Sequence, residues 1–177
     1  MFLSRFPLAF FIVLCTMFPP VGYAVQDNNG GMTMKLTSPS FGHRQSIPSK
    51  FTCEGNDVNP SLTIEEIPAG TKSLALIVDD PDAPMGTWVH WVVFNIPVTK
   101  AIAENSVPGT QGHNDFGRKE YGGPCPPSGT HRYFFKLYAL DTLLDLREGT
   151  DKRTLERAMQ GHILSSAELI GLYKKGR

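Results

Sequence analysis

The residues best placed to do chemistry lie in three separated stretches. The first is Asp79-Asp80-Pro81-Asp82-Ala83-Pro84, the second holds His90, and the third runs from Gly122-Gly123-Pro124-Cys125-Pro126 to His131-Arg132-Tyr133. Carboxylates, imidazoles and a phenol here sit at the ends of apolar, β-rich runs, the usual way a rigid scaffold assembles a small site. Three chemistries compete for them. In the first, His90, His131 and Tyr133 donate hydrogen bonds to a small anion such as a phosphate or carboxylate. Main-chain N–H groups of Gly123–Gly129 add donors, because glycine lets the backbone approach closely. Asp80 and Asp82 then orient the imidazoles and favour their charged form. In the second, Asp80, His90 and His131 form a two-histidine, one-carboxylate metal triad; their spacing matches no dedicated zinc motif, and His-Glu-x-x-His is absent. In the third, Cys125 is a nucleophile with His131 as its base, a role that a disulfide to Cys53 abolishes. The Gly-x-Ser-x-Gly elbow of serine hydrolases is missing.

Plainer roles stand beside these. Asp82 suits a turn cap. Trp88 and Trp91 suit the core, with one of them available to wall a pocket. His43, His113 and His162 have no partner apparent from the sequence and suit the surface.

The elements that must position the candidates are mostly strands. Met34–Thr37, Phe51–Cys53, Leu62–Ile64 and Ser73–Asp79 read as strands bounded by turn residues. Trp88–Ile96 and Arg132–Leu140 are rich in aromatic and β-branched residues and nearly continuously apolar, which predicts central strands buried on both faces. Alternation puts His90 and Trp91 on opposite faces. One segment reads as helix, Thr154–Gln160, with caps at Thr150-Asp151 and a stop at Gly161. Ile163–Tyr173 is ambiguous in period, and its second half is expected as strand. Ala103–Thr130 is long, rich in Gly and Pro, and runs into a core strand, which favours an ordered loop over a site.

Length and composition bound the rest. The chain has 177 residues, 41% of them hydrophobic, which fits one domain with a real core. Residues 1–24 carry Arg5, an apolar run from Phe6 to Phe18 and Gly22-Tyr23-Ala24 at a cleavage position, the pattern of a secretory signal peptide. Residues 25–32 read as a flexible leader and 33–177 as a single folded domain. This predicts a periplasmic or secreted protein with no stable membrane span after processing. Basic and acidic residues number 17 each, so nucleic-acid binding has no electrostatic footprint. Cys15 leaves with the signal. The even pair that remains, Cys53 and Cys125, suggests one disulfide in an exported protein, two buried thiols being the alternative.

Taken together, Asp80-Pro81-Asp82-Ala83-Pro84, the Trp-x-His-Trp-x-Val-x-Asn-Ile-Pro run at 88–97, Tyr121–Pro127 and Gly-x-His-Arg-Tyr at 129–133 resemble the phosphatidylethanolamine-binding protein family. Phe51-Thr52-Cys53-Glu54-Gly55, Asn59-Pro60-Ser61-Leu62 and the closing segments at 158–164 and 167–171 resemble its bacterial Raf-kinase-inhibitor-like branch. The resemblance spans about Met34 to Lys175. It implies a mainly β fold, a Greek-key-like β-sandwich with a few short peripheral helices. It also implies a non-enzymatic binding protein with a small anion pocket for phosphate or a phosphorylated head group. Carried over by motif, that pocket comprises Asp80, Asp82, His90, Pro126, His131 and Tyr133, with Gly123, Pro124 and Cys125 at its rim. Neither cofactor nor metal is implied. The alternative is a protein-interaction module, using the Ala103–Thr130 loop, that inhibits a protease or docks an extracellular partner.

Overall fold

A computed structural model of the chain describes residues 33–176; the expected signal peptide and leader lie outside them. The architecture is mainly β and sandwich-like. A three-stranded sheet has the order β1 (Lys35–Thr37), β3 (Leu62–Glu65), β6 (Ala101–Ile102). A six-stranded sheet has the order β2 (Gln45–Ser46), β9 (Ile163–Tyr173), β8 (His131–Leu140), β4 (Ser73–Asp80), β5 (Trp88–Ile96), β7 (Thr110–Gln111). All its pairings are antiparallel except β2 with β9.

Two apolar clusters explain the sequence pattern. Between the sheets lie Leu36, Leu62, Ile64, Leu74, Leu76, Val78, Trp91, Val93, Phe135 and Leu137. On the other face of the large sheet, Ala75, Ile77, Val92, Phe94 and Leu140 pack with Leu155 and Met159 of α1 (Lys152–Met159). Strands β4 and β5 thus feed alternate residues to both clusters, and their continuous apolar runs follow. Strand β8 departs from that expectation. Its inner face is buried, but Arg132 is exposed and Phe134, Lys136 and Tyr138 are only half-buried, because none of the described residues covers that part of the sheet fully.

Helix α1 begins directly after its N-cap Asp151, whose carboxylate accepts from the Thr154 N–H at 2.7 Å. Gly161, at φ 80°, ends the segment in a conformation that favours glycine. Lys152 of this helix and Lys136 of β8 reach Asp79 at 2.5 and 2.8 Å, and Asp79 is wholly buried. A fully buried carboxylate demands such partners, so this ion cluster fixes where the helix sits on the sheet.

Two expectations need correction. Phe51–Cys53 is not a strand: Ser49–Phe51 is a turn of 3-10 helix, closed when the Thr52 N–H and hydroxyl both donate to the Ser49 carbonyl at 3.0 and 2.8 Å. A threonine hydroxyl competing for a local carbonyl overrides its strand preference. Strand β9 covers Ile163–Tyr173 in full rather than its second half alone. Its first half is solvent-facing, so apolar periodicity is lost there although the ladder with β8 continues.

Candidate functional site

The site forms where β4 ends, β8 begins and β5 carries an irregularity. Asp80 is the last residue of β4 and His131 the first of β8. His131 Nδ1 donates to Asp80 Oδ2 at 2.7 Å, with both side chains almost fully buried. Asp80 Oδ1 in turn accepts the Asp82 N–H at 2.8 Å. The carboxylate is thereby fixed by the Pro-containing turn, and the imidazole by the carboxylate. His131 Nε2 remains free of hydrogen bonds among the described residues.

His90 reaches the same space through a β-bulge. Val78 pairs with Trp91 but Asp79 pairs with Val89, so His90 is the extra residue. A bulge re-aims side chains that simple alternation would separate. Trp91 lies in the cluster between the sheets, while Val89 and Val92 lie in the opposite one. His90 stands on the Trp91 side, its ring 5.1 Å from that of Tyr133 and 5.3 Å from that of Phe116, edge to face. The expectation that His90 and Trp91 face opposite ways is therefore overturned. His90 Nδ1 donates to the Gly122 carbonyl at 2.6 Å, and Gly122 N–H returns a bond to the His90 carbonyl at 3.0 Å. Burial holds this imidazole below its usual pKa, against the opposing pull of that carbonyl and Asp80. With Nδ1–H donated and the ring neutral, Nε2 carries a lone pair. His90 is thus an acceptor, whereas the sequence reading cast it as a donor.

Tyr133 completes the set. It is 1% exposed, and its hydroxyl makes no hydrogen bond in the described fold. It faces the Asp80 carboxylate and the Cys125 main chain without bonding geometry to either. Burial first, and then that carboxylate, push its ionisation far above the usual phenol range, so it stays a neutral O–H donor. Buried hydroxyls are normally paired, and this one is not.

These groups border a cavity of about 230 Å³. Asp80, His90, His131 and Tyr133 supply its polar part, and Ala83, Pro84, Trp88, Phe116 and Cys125-Pro126-Pro127 its walls. Trp88 is thus the tryptophan at the pocket and Trp91 the one in the core.

Three candidates fall outside the lining: Asp82, Gly123 and Pro124, the last giving its carbonyl to the Cys53 N–H at 3.2 Å. Asp82 turns to the sheet surface. Its Oδ2 accepts the Arg132 N–H and Nε at 2.9 Å each, and its Oδ1 accepts Nη2 at 2.6 Å. The Arg132 guanidinium draws the Asp82 pKa down to about 2. Asp82 orients Arg132, the neighbour of His131, and no imidazole. Gly123 spends its N–H on Asp57 Oδ1 at 2.6 Å. A Cβ there would lie 2.5 Å from the Phe51 carbonyl oxygen, so the glycine is needed for close backbone packing.

Cys125 is bonded to Cys53 across a separation of 72 residues and carries no thiol to act as a nucleophile. Among the described residues no three of His, Cys, Asp and Glu converge to hold a metal ion. No described helix is long and apolar enough to cross a membrane.

Other polar residues shape the site without having stood out in the sequence. Asn114, 4% exposed, donates to the His90 and Glu120 carbonyls and accepts from the Phe116 and Arg118 N–H groups. It organises the loop that carries Phe116 to the cavity. Asn59 similarly donates to the Ala103 carbonyl and accepts from the Ser106 N–H. Of the remaining histidines, His162 Nδ1 pairs with Asp141 at 2.8 Å on the surface.

The comparisons agree with this construction. A family model described as phosphatidylethanolamine-binding protein matches residues 37–174. A UPF0098 protein of Methanothermobacter thermautotrophicus is 51% identical over 151 residues, covering 81% of this chain and all of the relative. One from Pyrococcus abyssi is 50% identical, covering 82% and 88%. Among solved structures, the Chlamydia trachomatis homologue CT736, titled a putative phosphatidylethanolamine-binding protein homologue, superimposes with a TM-score of 0.79 at 43% identity, covering 81% of this chain and 99% of that one. Escherichia coli YbcL, titled a new member of the mammalian family, gives 0.76 at 30% identity over 82% and 100%. With the family model matching residues 37–174 and relatives about half identical over at least 88% of their own length, the chain belongs to the phosphatidylethanolamine-binding protein family.

Proposed function

We propose that this is an exported, non-enzymatic binding protein whose cavity takes a small anion, a phosphate or phosphorylated head group. The observation that carries the reading is the unpaired Tyr133 hydroxyl, buried at the cavity beside an imidazole already fixed by Asp80. An anion oxygen accepts from that hydroxyl and from His131 Nε2–H at once. Hydrogen bonds to a charged group contribute roughly 1.5–3 kcal/mol each. Asp80 sits behind His131 and fixes its ring by accepting from Nδ1, which leaves Nε2 turned to the ligand. The His90 lone pair suits an O–H or N–H of the ligand, such as a protonated phosphate oxygen. The family's name, phosphatidylethanolamine-binding protein, supports the same ligand class, and the leader pattern of residues 1–24 supports export.

Titration of tryptophan fluorescence tests it, since Trp88 borders the cavity. Inorganic phosphate and O-phosphoethanolamine at pH 6 are expected to give saturable changes, weakened at least about tenfold by His131→Gln. A linear, unsaturable response in the unsubstituted protein refutes the proposal.

A further inference from the structure

From the fastening of the cavity wall we infer that the Cys53–Cys125 bond is a reducible latch on the anion site; the inference rests on the binding function proposed above. The wall segment has two differently held halves. Residues 121–124 are bound down by five hydrogen bonds: Tyr121 Oη donates to the Phe51 carbonyl at 3.0 Å, Gly122 and His90 exchange two, Gly123 N–H donates to Asp57, and Cys53 N–H donates to the Pro124 carbonyl at 3.2 Å. From Cys125 to Thr130 no residue makes a hydrogen bond of normal geometry to the rest of the described fold. Yet Cys125, Pro126 and Pro127 wall the same cavity that His131 and Tyr133 border. The disulfide is the covalent fastening at the start of this stretch, beside the buried ring of Pro126, and β8 resumes the ladder only at His131.

Cys53 and Cys125 are both exposed, so a thiol reductant reaches the bond without unfolding the protein. A dithiol delivers two electrons and two protons, the S–S bond opens to two thiols, and the reductant closes to its own disulfide. The freed segment carries Pro126 and Pro127 away from the anion, and the cavity loses a wall while keeping Asp80, His131 and Tyr133. Coupling between two events is reciprocal. Reduction weakens anion binding, and a bound anion disfavours reduction by the same factor.

The test uses the full protein and inorganic phosphate at constant ionic strength. Phosphate affinity is measured for the oxidised protein and for the Cys53→Ser/Cys125→Ser variant, with circular dichroism and a thermal melt to report folding. Thiol alkylation and mass spectrometry read the oxidised fraction in a dithiothreitol redox buffer, with and without phosphate. The latch predicts a folded variant binding about tenfold more weakly and a matching shift of the redox equilibrium toward the disulfide. A folded variant with unchanged affinity overturns it and leaves the anion reading standing. A variant that does not fold also overturns it, because the bond then holds the scaffold as a whole. Oxidised protein that does not bind phosphate overturns the anion reading itself.

Discussion

Replacing Tyr133 by Phe separates stability from binding at a single atom. The ring is 1% exposed and packs against His90, and Phe preserves that packing. The atom removed is a hydroxyl with no hydrogen-bond partner among the described residues. An unsatisfied buried hydroxyl costs about 1–3 kcal/mol relative to water, so the ligand-free variant should gain about 1 kcal/mol. For a domain of this size that raises Tm by roughly 2–4 °C. The same change deletes one donor to a bound anion, a loss of about 1.5–3 kcal/mol, or roughly ten- to a hundredfold in Kd. At phosphate near a hundred times the original Kd, the unsubstituted protein gains about 2.7 kcal/mol from ligand. The variant at the same concentration gains only about 0.4–1.4 kcal/mol. The two melting curves should therefore exchange order: the variant melts higher without phosphate and lower with it. Calorimetric melts at two phosphate concentrations read this directly. If the ligand-free variant melts lower, the hydroxyl has a structural partner and the argument fails; unchanged phosphate affinity refutes it equally.

Three further outcomes follow from the geometry. His90 is held neutral by burial, so its contribution to stability is complete above the unfolded imidazole pKa of about 6.5 and declines as pH falls below it; urea midpoints of the protein should drop between pH 7 and 5, less so for His90→Gln. Asp82, drawn down to about 2 by Arg132, should stabilise at neutral pH by about 1 kcal/mol after allowance for its partly exposed partner. Asp82→Asn removes that increment, and the difference between the two proteins should vanish as pH falls from about 4 to 2. Asn114→Ala strands four main-chain groups and should destabilise by about 2–4 kcal/mol, with the first proteolytic cleavage shifting into residues 112–120.

Much of this site was legible because its residues interrupt strong patterns. Asp80, His131 and Tyr133 punctuate apolar strands, and a polar group at a strand end signals itself. The lengths of β4, β5 and β8 were readable for the same reason, the core demanding apolar residues at every position it touches. The bulge at His90 was not readable, because it is a slip between two strands and neither strand records it alone. Nor was the turn of Asp82 to Arg132, since both facing options present a cation or an imidazole. Asp57, Asn59 and Asn114 lie in stretches without period. The only hint was their type, since Asx side chains satisfy local backbone groups in turns. The Thr52 turn hid behind a β-branched residue whose hydroxyl found a nearer carbonyl. Asp79 was visible as a charge in an apolar run, but its lysine partners come from β8 and α1, at 57 and 73 residues' distance.

The last two residues of β4 serve opposite sides of one sheet. Asp79 meets lysines beneath the helix and Asp80 meets the imidazole at the hollow, one peptide unit apart. A tug on the helix therefore arrives at the ligand's seat without crossing any intervening packing. Searches for variants with altered anion affinity should accordingly recover changes at Lys136 and Lys152, on the opposite face of the sheet from the cavity.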